Sequence, residues 1–177
     1  VWLRKEFDAP KPIRRATVSV SGLGLFELYV NGQRISDHQL DPAFTDYQKR
    51  VFYLTHDVTA ALKTGRNAVG VVLGNGRFNL VIPHTLRYYA ADYIAPPQLR
   101  LDLDIEYTDG SHKIIGSDES WKFTTDGPIR FNSILSGETY DARLEMPGWA
   151  SAGFNDASWK PARPAPAPEG RLVSQQL

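Results

Sequence analysis

The feature that most constrains this chain is a hairpin written into residues 25–35. Leu25-Phe26-Glu27-Leu28-Tyr29-Val30 is a strand-like run that leads straight into Asn31-Gly32. Asn and Gly both tolerate the positive φ that a two-residue hairpin turn demands, so the pair predicts a tight turn with Arg34-Ile35 as the returning strand. The neighbouring segments carry the same period. Ala16-Thr17-Val18-Ser19-Val20-Ser21 alternates apolar and hydroxyl side chains, as a half-buried strand does. Trp2 to Phe7 predicts a first strand ending at Pro10 and Pro12, and Val51 to Leu54 another. Asn67 to Leu73 reads as a buried strand closed by Gly74-Asn75-Gly76. Leu99 to Tyr107 alternates and turns at Asp109-Gly110 into Lys113-Ile114-Ile115, with Trp121–Phe123 and Ile129–Phe131 behind. The one helical expectation is a short turn over 57–65, with Asp57 capping its free amides and Gly65 in the left-handed position at its end. Many short strands with turns about every ten residues predict an antiparallel sandwich or barrel.

Composition narrows the function classes. In 177 residues, Lys plus Arg and Asp plus Glu both number 20. A nucleic-acid partner calls for a basic face, which a neutral chain does not advertise. The hydrophobic fraction of 42% argues against disorder. The apolar runs are a few residues long, too short for a spanning helix, and no charged-then-apolar leader follows Val1. The absence of Cys removes thiol nucleophiles, zinc ribbons and Fe–S clusters together, and leaves the compartment open. Aromatics are abundant, with 4 Trp, 8 Tyr and 8 Phe, as a sugar-facing β domain would have. Gly22-Leu23-Gly24-Leu25 lacks the third glycine and following helix of a dinucleotide site. His38, His56, His84 and His112 lie in separate segments without metal-ligand spacing.

Three stretches, taken in order, resemble the N-terminal β-sandwich domain of bacterial α-L-rhamnosidases. The first is Gly24-Leu25-Phe26-Glu27-Leu28-Tyr29-Val30-Asn31-Gly32. The second runs from Leu40-Asp41-Pro42-Ala43-Phe44-Thr45-Asp46-Tyr47 through Tyr53, Asp57-Val58-Thr59 and Gly65-Arg66-Asn67 to Leu73-Gly74-Asn75-Gly76-Arg77-Phe78. The third is Gly137-Glu138-Thr139-Tyr140-Asp141-Ala142-Arg143, followed by Trp149, Phe154 and Trp159. The resemblance implies an all-β, galactose-binding-like jelly-roll sandwich over residues 1–165. It further implies that 166–177, at the end of a run with Pro161, Pro164, Pro166 and Pro168, is a linker toward a downstream (α/α)6 catalytic barrel. That barrel, which hydrolyses terminal α-L-rhamnosyl bonds in the family, would be the domain's partner, so no catalytic residue is assigned here. The family often has Trp after its Gly-x-Gly turn, where this chain has Arg77.

A sugar site needs aromatic faces for C–H surfaces and planar polar groups for hydroxyls. The long connection from Arg77 to Tyr93 offers both, including Arg87, Tyr88, Tyr89 and Asp92. The candidate carbohydrate contacts are Asp46, Asn75, Arg77, Tyr88 and Tyr89. The same tyrosines would serve equally as packing against the downstream domain. Asp41, Thr45 and Asp46 share a loop, and with Asn75 they form an oxygen-rich set. The resemblance allows a calcium-bridged rhamnose there, with Asp46 and Asn75 as candidate ligands; turn formation is their other role. Glu138 and Asp141 could pass for a glycosidase pair, but on an extended segment they point to opposite faces. An ion pair with Arg143 is the simpler account. Trp149, Phe154 and Trp159 are expected to lock the chain end into the sandwich.

Overall fold

A computed structural model describes residues 1–80 and 95–176. The strands are β1 (Trp2–Ala9), β2 (Ile13–Leu23), β3 (Leu25–Val30), β4 (Gln33–Arg34), β5 (Arg50–Asp57), β6 (Gly65–Gly74) and β7 (Gln98–Tyr107). They continue with β8 (His112–Gly116), β9 (Lys122–Thr124), β10 (Ile129–Ser133), β11 (Gly137–Tyr140), β12 (Lys160–Pro161) and β13 (Arg171–Ser174). Six of them form one sheet in the order β12-β9-β1-β6-β3-β4, and five form the other in the order β13-β5-β2-β7-β8. The pair β10-β11 stands apart as its own two-stranded ribbon. The domain is a jelly-roll β-sandwich.

The core follows the period-2 pattern strand by strand. Val18 and Val20 of β2 sit opposite Leu103 and Leu101 of β7, and Leu28 and Val30 of β3 opposite Val71 and Val69 of β6. All eight side chains are buried in the single large cluster between the sheets. Alternation thus places one apolar layer inward from each sheet, while Thr17, Ser19, Asp102 and Asp104 remain on the far side.

Gly24 makes the corner between the sheets. It is the only residue between β2, in the five-stranded sheet, and β3, in the six-stranded one. Its φ is +111°, and a Cβ there would lie 2.2 Å from the Gly74 carbonyl oxygen. A side chain is excluded by both backbone conformation and space. The doublet that failed as a dinucleotide motif is therefore a sheet-to-sheet corner.

The Asn31-Gly32 turn forms as expected, with φ of 49° and 82°, and Gln33–Arg34 pair back onto Tyr29 and Val30. The helical expectation over 57–65 shrinks to a 3-10 turn at Thr59–Ala61, where the Asp57 carboxylate accepts from the Thr59 amide at 2.9 Å. Gly65 does carry a positive φ of 90°, but as the first residue of β6. The segment expected as a linker contributes a strand: β13 pairs in parallel with β5, flanked by bonds from Arg171 N–H to Lys49 O and from Gln175 N–H to Tyr53 O. Arg171-Leu172-Val173-Ser174 contains no Pro, so its amides are free to donate.

The 125–160 segment covers the outer face of the six-stranded sheet. Trp149 stacks on Trp159 at 6.4 Å and meets Tyr29 edge-on at 5.3 Å, and Phe154 meets Trp159 at 5.9 Å. These aromatics fasten the late chain to the outside of the sandwich rather than entering its core. Trp149 lies directly over Gly70, where bare backbone leaves room for the indole.

Candidate functional site

Of the sequence-selected residues, Asp46, Asn75 and Arg77 lie on two loops that meet. The 36–49 loop and the 75–80 turn meet over a small second cluster of Leu23, Tyr47, Val51 and Phe78. Phe44 contacts Tyr47 edge-on at 6.0 Å, Tyr47 contacts Phe78 at 5.2 Å, and the Arg77 guanidinium lies 5.2 Å from the centre of the Phe44 ring. Phe44 is 54% exposed and Arg77 is exposed too, so the Arg77–Phe44 pair forms an open surface. Such a surface offers a ring face for sugar C–H groups and a donor fork for hydroxyls. Phe44 is the contact that the sequence reading missed. Its loop was chosen for oxygens, and nothing local shows that Arg77 folds over it.

Asn75 and Asp46 are occupied by local bonds. The Asn75 amide accepts from Asn79 at 2.9 Å and donates to the Asn132 carbonyl at 2.8 Å, while its backbone N–H donates to the Asn132 side chain at 2.7 Å. It therefore ties the 75–80 turn to β10. The Asp46 carboxylate faces the Lys49 ammonium at 3.1 Å and accepts from the Gln48 amide at 3.1 Å. These two bonds hold its carboxyl below the usual carboxylate range. Asp41 and Thr45 are buried, and Asp41 faces His38 at 3.3 Å.

A calcium ion needs 6–8 oxygens turned toward one point. Here Asp46 faces a cation and Asn75 is spent on Asn132 and Asn79, so this donor set does not fit the ion as arranged. Among the described residues, no three His, Cys, Asp or Glu side chains gather in a metal-sized group. Tyr88 and Tyr89, with the rest of 81–94, lie outside the described residues.

Glu138 and Asp141 divide between two elements. Glu138 is exposed on β11, whereas Asp141 caps the 3-10 turn at Ala142–Leu144. Both Asp141 oxygens accept from Arg143, at 2.8 and 2.6 Å, which lowers the Asp141 pKa. The Asp141–Arg143 ion pair expected from sequence is present, on the surface.

The residues shared with the family resemblance have structural work of their own. Asn67 is fully buried; its amide donates to the carbonyls of Lys63 and Gly65 at 2.7 and 2.8 Å. Its oxygen accepts from Lys63 N–H at 3.0 Å and from Asn31 at 2.8 Å. Asn31 in turn bonds the Ala61 carbonyl and the Ala68 amide. The Asn-Gly turn, the 3-10 turn and the start of β6 are thus one hydrogen-bonded unit.

Two sheets packed face to face over one apolar cluster place the chain in the class of β-sandwich domains. The particular family follows from comparison with known proteins. The sequence profile of the α-L-rhamnosidase N-terminal domain matches residues 11–177, and the chain belongs to that family. An α-L-rhamnosidase of Formosa agariphila is 39% identical over 180 residues, covering 99% of this chain and 18% of its own length. The structure of the Dictyoglumus thermophilum α-L-rhamnosidase superposes with a TM-score of 0.88 at 46% identity, covering 99% of this chain and 19% of that one. That of Streptomyces avermitilis α-L-rhamnosidase, complexed with L-rhamnose, gives 0.90 at 38% identity over 98% of this chain and 17% of that one. The chain thus spans less than a fifth of these relatives.

Proposed function

We propose that this chain is the non-catalytic accessory domain of an enzyme that hydrolyses terminal α-L-rhamnosyl bonds. It supports the catalytic (α/α)6 barrel and holds rhamnose-bearing glycan at the Arg77–Phe44 end of the sandwich. One observation carries the reading: the match spans nearly all of this chain but under a fifth of its relatives, which leaves most of an α-L-rhamnosidase outside this fold. Asp46, Asn75 and Arg77 frame the contact, with Tyr88 and Tyr89 proposed to complete it. A monosaccharide buries little area, and a few exposed hydrogen bonds yield only about 0.5–1.5 kcal/mol each, so binding is weak.

A spacer role without ligand is the second reading. It is favoured by the commitment of Asp46 and Asn75 to Lys49 and Asn132. Calorimetric titration with L-rhamnose, with and without EDTA, separates the two. Glycan holding predicts millimolar binding that survives EDTA and is lost in Arg77→Ala. No heat at millimolar sugar from the folded chain supports the spacer. Binding abolished by EDTA overturns the donor-set argument and returns Asp46 and Asn75 as metal ligands.

A further inference from the structure

Away from that end, β1 and the 153–156 turn enclose an open cleft of about 430 Å³. Its floor is Arg4, a guanidinium only 1% exposed. Arg4 bonds the Trp149 carbonyl at 2.8 Å and the Ser151 carbonyl at 2.9 Å, and it bridges the carboxylates of Glu6 and Asp156. Each of those two carboxylates already faces two cations. Glu6 takes bonds from Arg4, from Arg66 at 2.7 Å and from the Gly153 amide at 2.8 Å. Asp156 takes them from Arg4 and from Lys122 at 2.6 Å.

The rim is different. Among the described residues, Arg66 gives one bond, to Glu6, and is 71% exposed, so most of its five N–H donors face water. Lys122, on the other side of β1, donates to Asp156 and is 42% exposed. Even counting Asp118, which pairs with Lys5 at 3.0 Å, the carboxylates are outnumbered by Arg4, Lys5, Arg66 and Lys122. The remaining wall is the Phe154 ring, with the Arg4 guanidinium 5.5 Å from its centre and Trp159 edge-on at 5.9 Å. A rim with more cations than carboxylates selects an oxyanion, and an aromatic wall selects an apolar face next to it.

We propose that this cleft binds an anionic sugar, with the carboxylate or sulfate on Arg66 and Lys122 and the ring's C–H face on Phe154. The proposal rests on the carbohydrate reading above for the sugar ring only. It gives the domain a second, charge-selective subsite that would favour acidic glycans over neutral ones.

The test titrates the isotope-labelled chain with D-glucuronate, D-glucose 6-sulfate, D-glucose and sodium sulfate, followed by amide chemical shifts. Either anionic sugar should shift Gly153 and Phe154 with millimolar affinity, weakened several-fold between 10 and 300 mM salt by screening (about 30 and 6 Å Debye lengths). Glucose should leave those signals in place. Arg66→Gln should weaken binding about tenfold without changing the unfolding midpoint by much, because Arg66 is exposed. Whichever anionic sugar binds more tightly identifies the oxyanion, and either preference supports the site. Equal shifts from glucose overturn the proposal, as do unchanged affinity in Arg66→Gln or no shift from either anionic sugar. Sulfate alone matching the sugar sulfate means an adventitious ion only and also overturns it. L-rhamnose titrated in parallel reports at Arg77, so failure at Gly153 is separable from failure of the glycan-holding reading.

Discussion

Replacing Asn67 with Ala should be among the most damaging single changes in this domain, although Asn67 is neither apolar nor at a ligand site. Its side chain makes four hydrogen bonds of 2.7–3.0 Å at a fully buried position. Truncation leaves the Lys63 and Gly65 carbonyls and the Lys63 amide without those partners, and it removes one of the three bonds made by the Asn31 amide group. At about 1 kcal/mol net per bond the loss is roughly 4 kcal/mol. A domain of this size has about 5–15 kcal/mol in total, so roughly a quarter or more of its stability is at stake. Urea unfolding followed by tryptophan fluorescence measures it, with the midpoint expected to fall by about 2 M for a slope near 2 kcal/mol/M. The double change with Asn31→Ala should cost less than the sum of the singles, because the two share the 2.8 Å bond. A loss under 1 kcal/mol in Asn67→Ala, or strict additivity with Asn31→Ala, would refute the claim that these signature residues form one structural unit.

Arg4→Met should destabilise by about 3–5 kcal/mol in the same assay, because it takes the buried cation from between Glu6 and Asp156 and leaves the Trp149 and Ser151 carbonyls without its bonds; a change under 1 kcal/mol would mean the cluster is not coupled. Gly32→Val should be far worse than a typical surface change. The position has φ +82°, and a Cβ there would lie 2.6 Å from Ser151 Oγ; an unshifted melting temperature would contradict this. Burial of Glu6 raises its pKa, but bonds from Arg4, Arg66 and Gly153 outweigh that and hold it at about 2, against an ordinary 4.5. A carboxyl depressed in the folded state contributes stability that is fully present above pH 4.5 and lost as pH falls toward 2. The wild-type chain should therefore lose stability across that window, and Glu6→Gln should flatten part of the slope.

The hairpin, the corner strands and the core were legible because their signals are local. Period-2 alternation names the inward face of β2, β6 and β7, and Asn31-Gly32 names its turn. What escaped is long-range or unpatterned. β11 is exposed throughout and carries no apolar alternation, so the extended reading of 138–141 could not name its partner, β10. β13 hides behind a proline run. Arg4 and Asp156 are 152 positions apart, and nothing in Trp2–Phe7 marks Arg4 as a buried anchor for a later loop. At the loop end, Asp46, Asn75 and Arg77 were chosen by residue type, and the fold does bring their two loops together over Tyr47 and Phe78. It also gives Asp46 and Asn75 partners, Lys49 and Asn132, that no spacing rule would supply.

The central claim, a glycan-holding domain without catalysis of its own, is tested most directly by one time course. The isotope-labelled chain is held with 4-nitrophenyl α-L-rhamnoside while nitrophenol release and amide shifts are followed together. The account predicts no release above the spontaneous rate, with shifts concentrated at Asn75, Arg77 and Phe44. Enzymatic release that disappears in Glu138→Gln would contradict it.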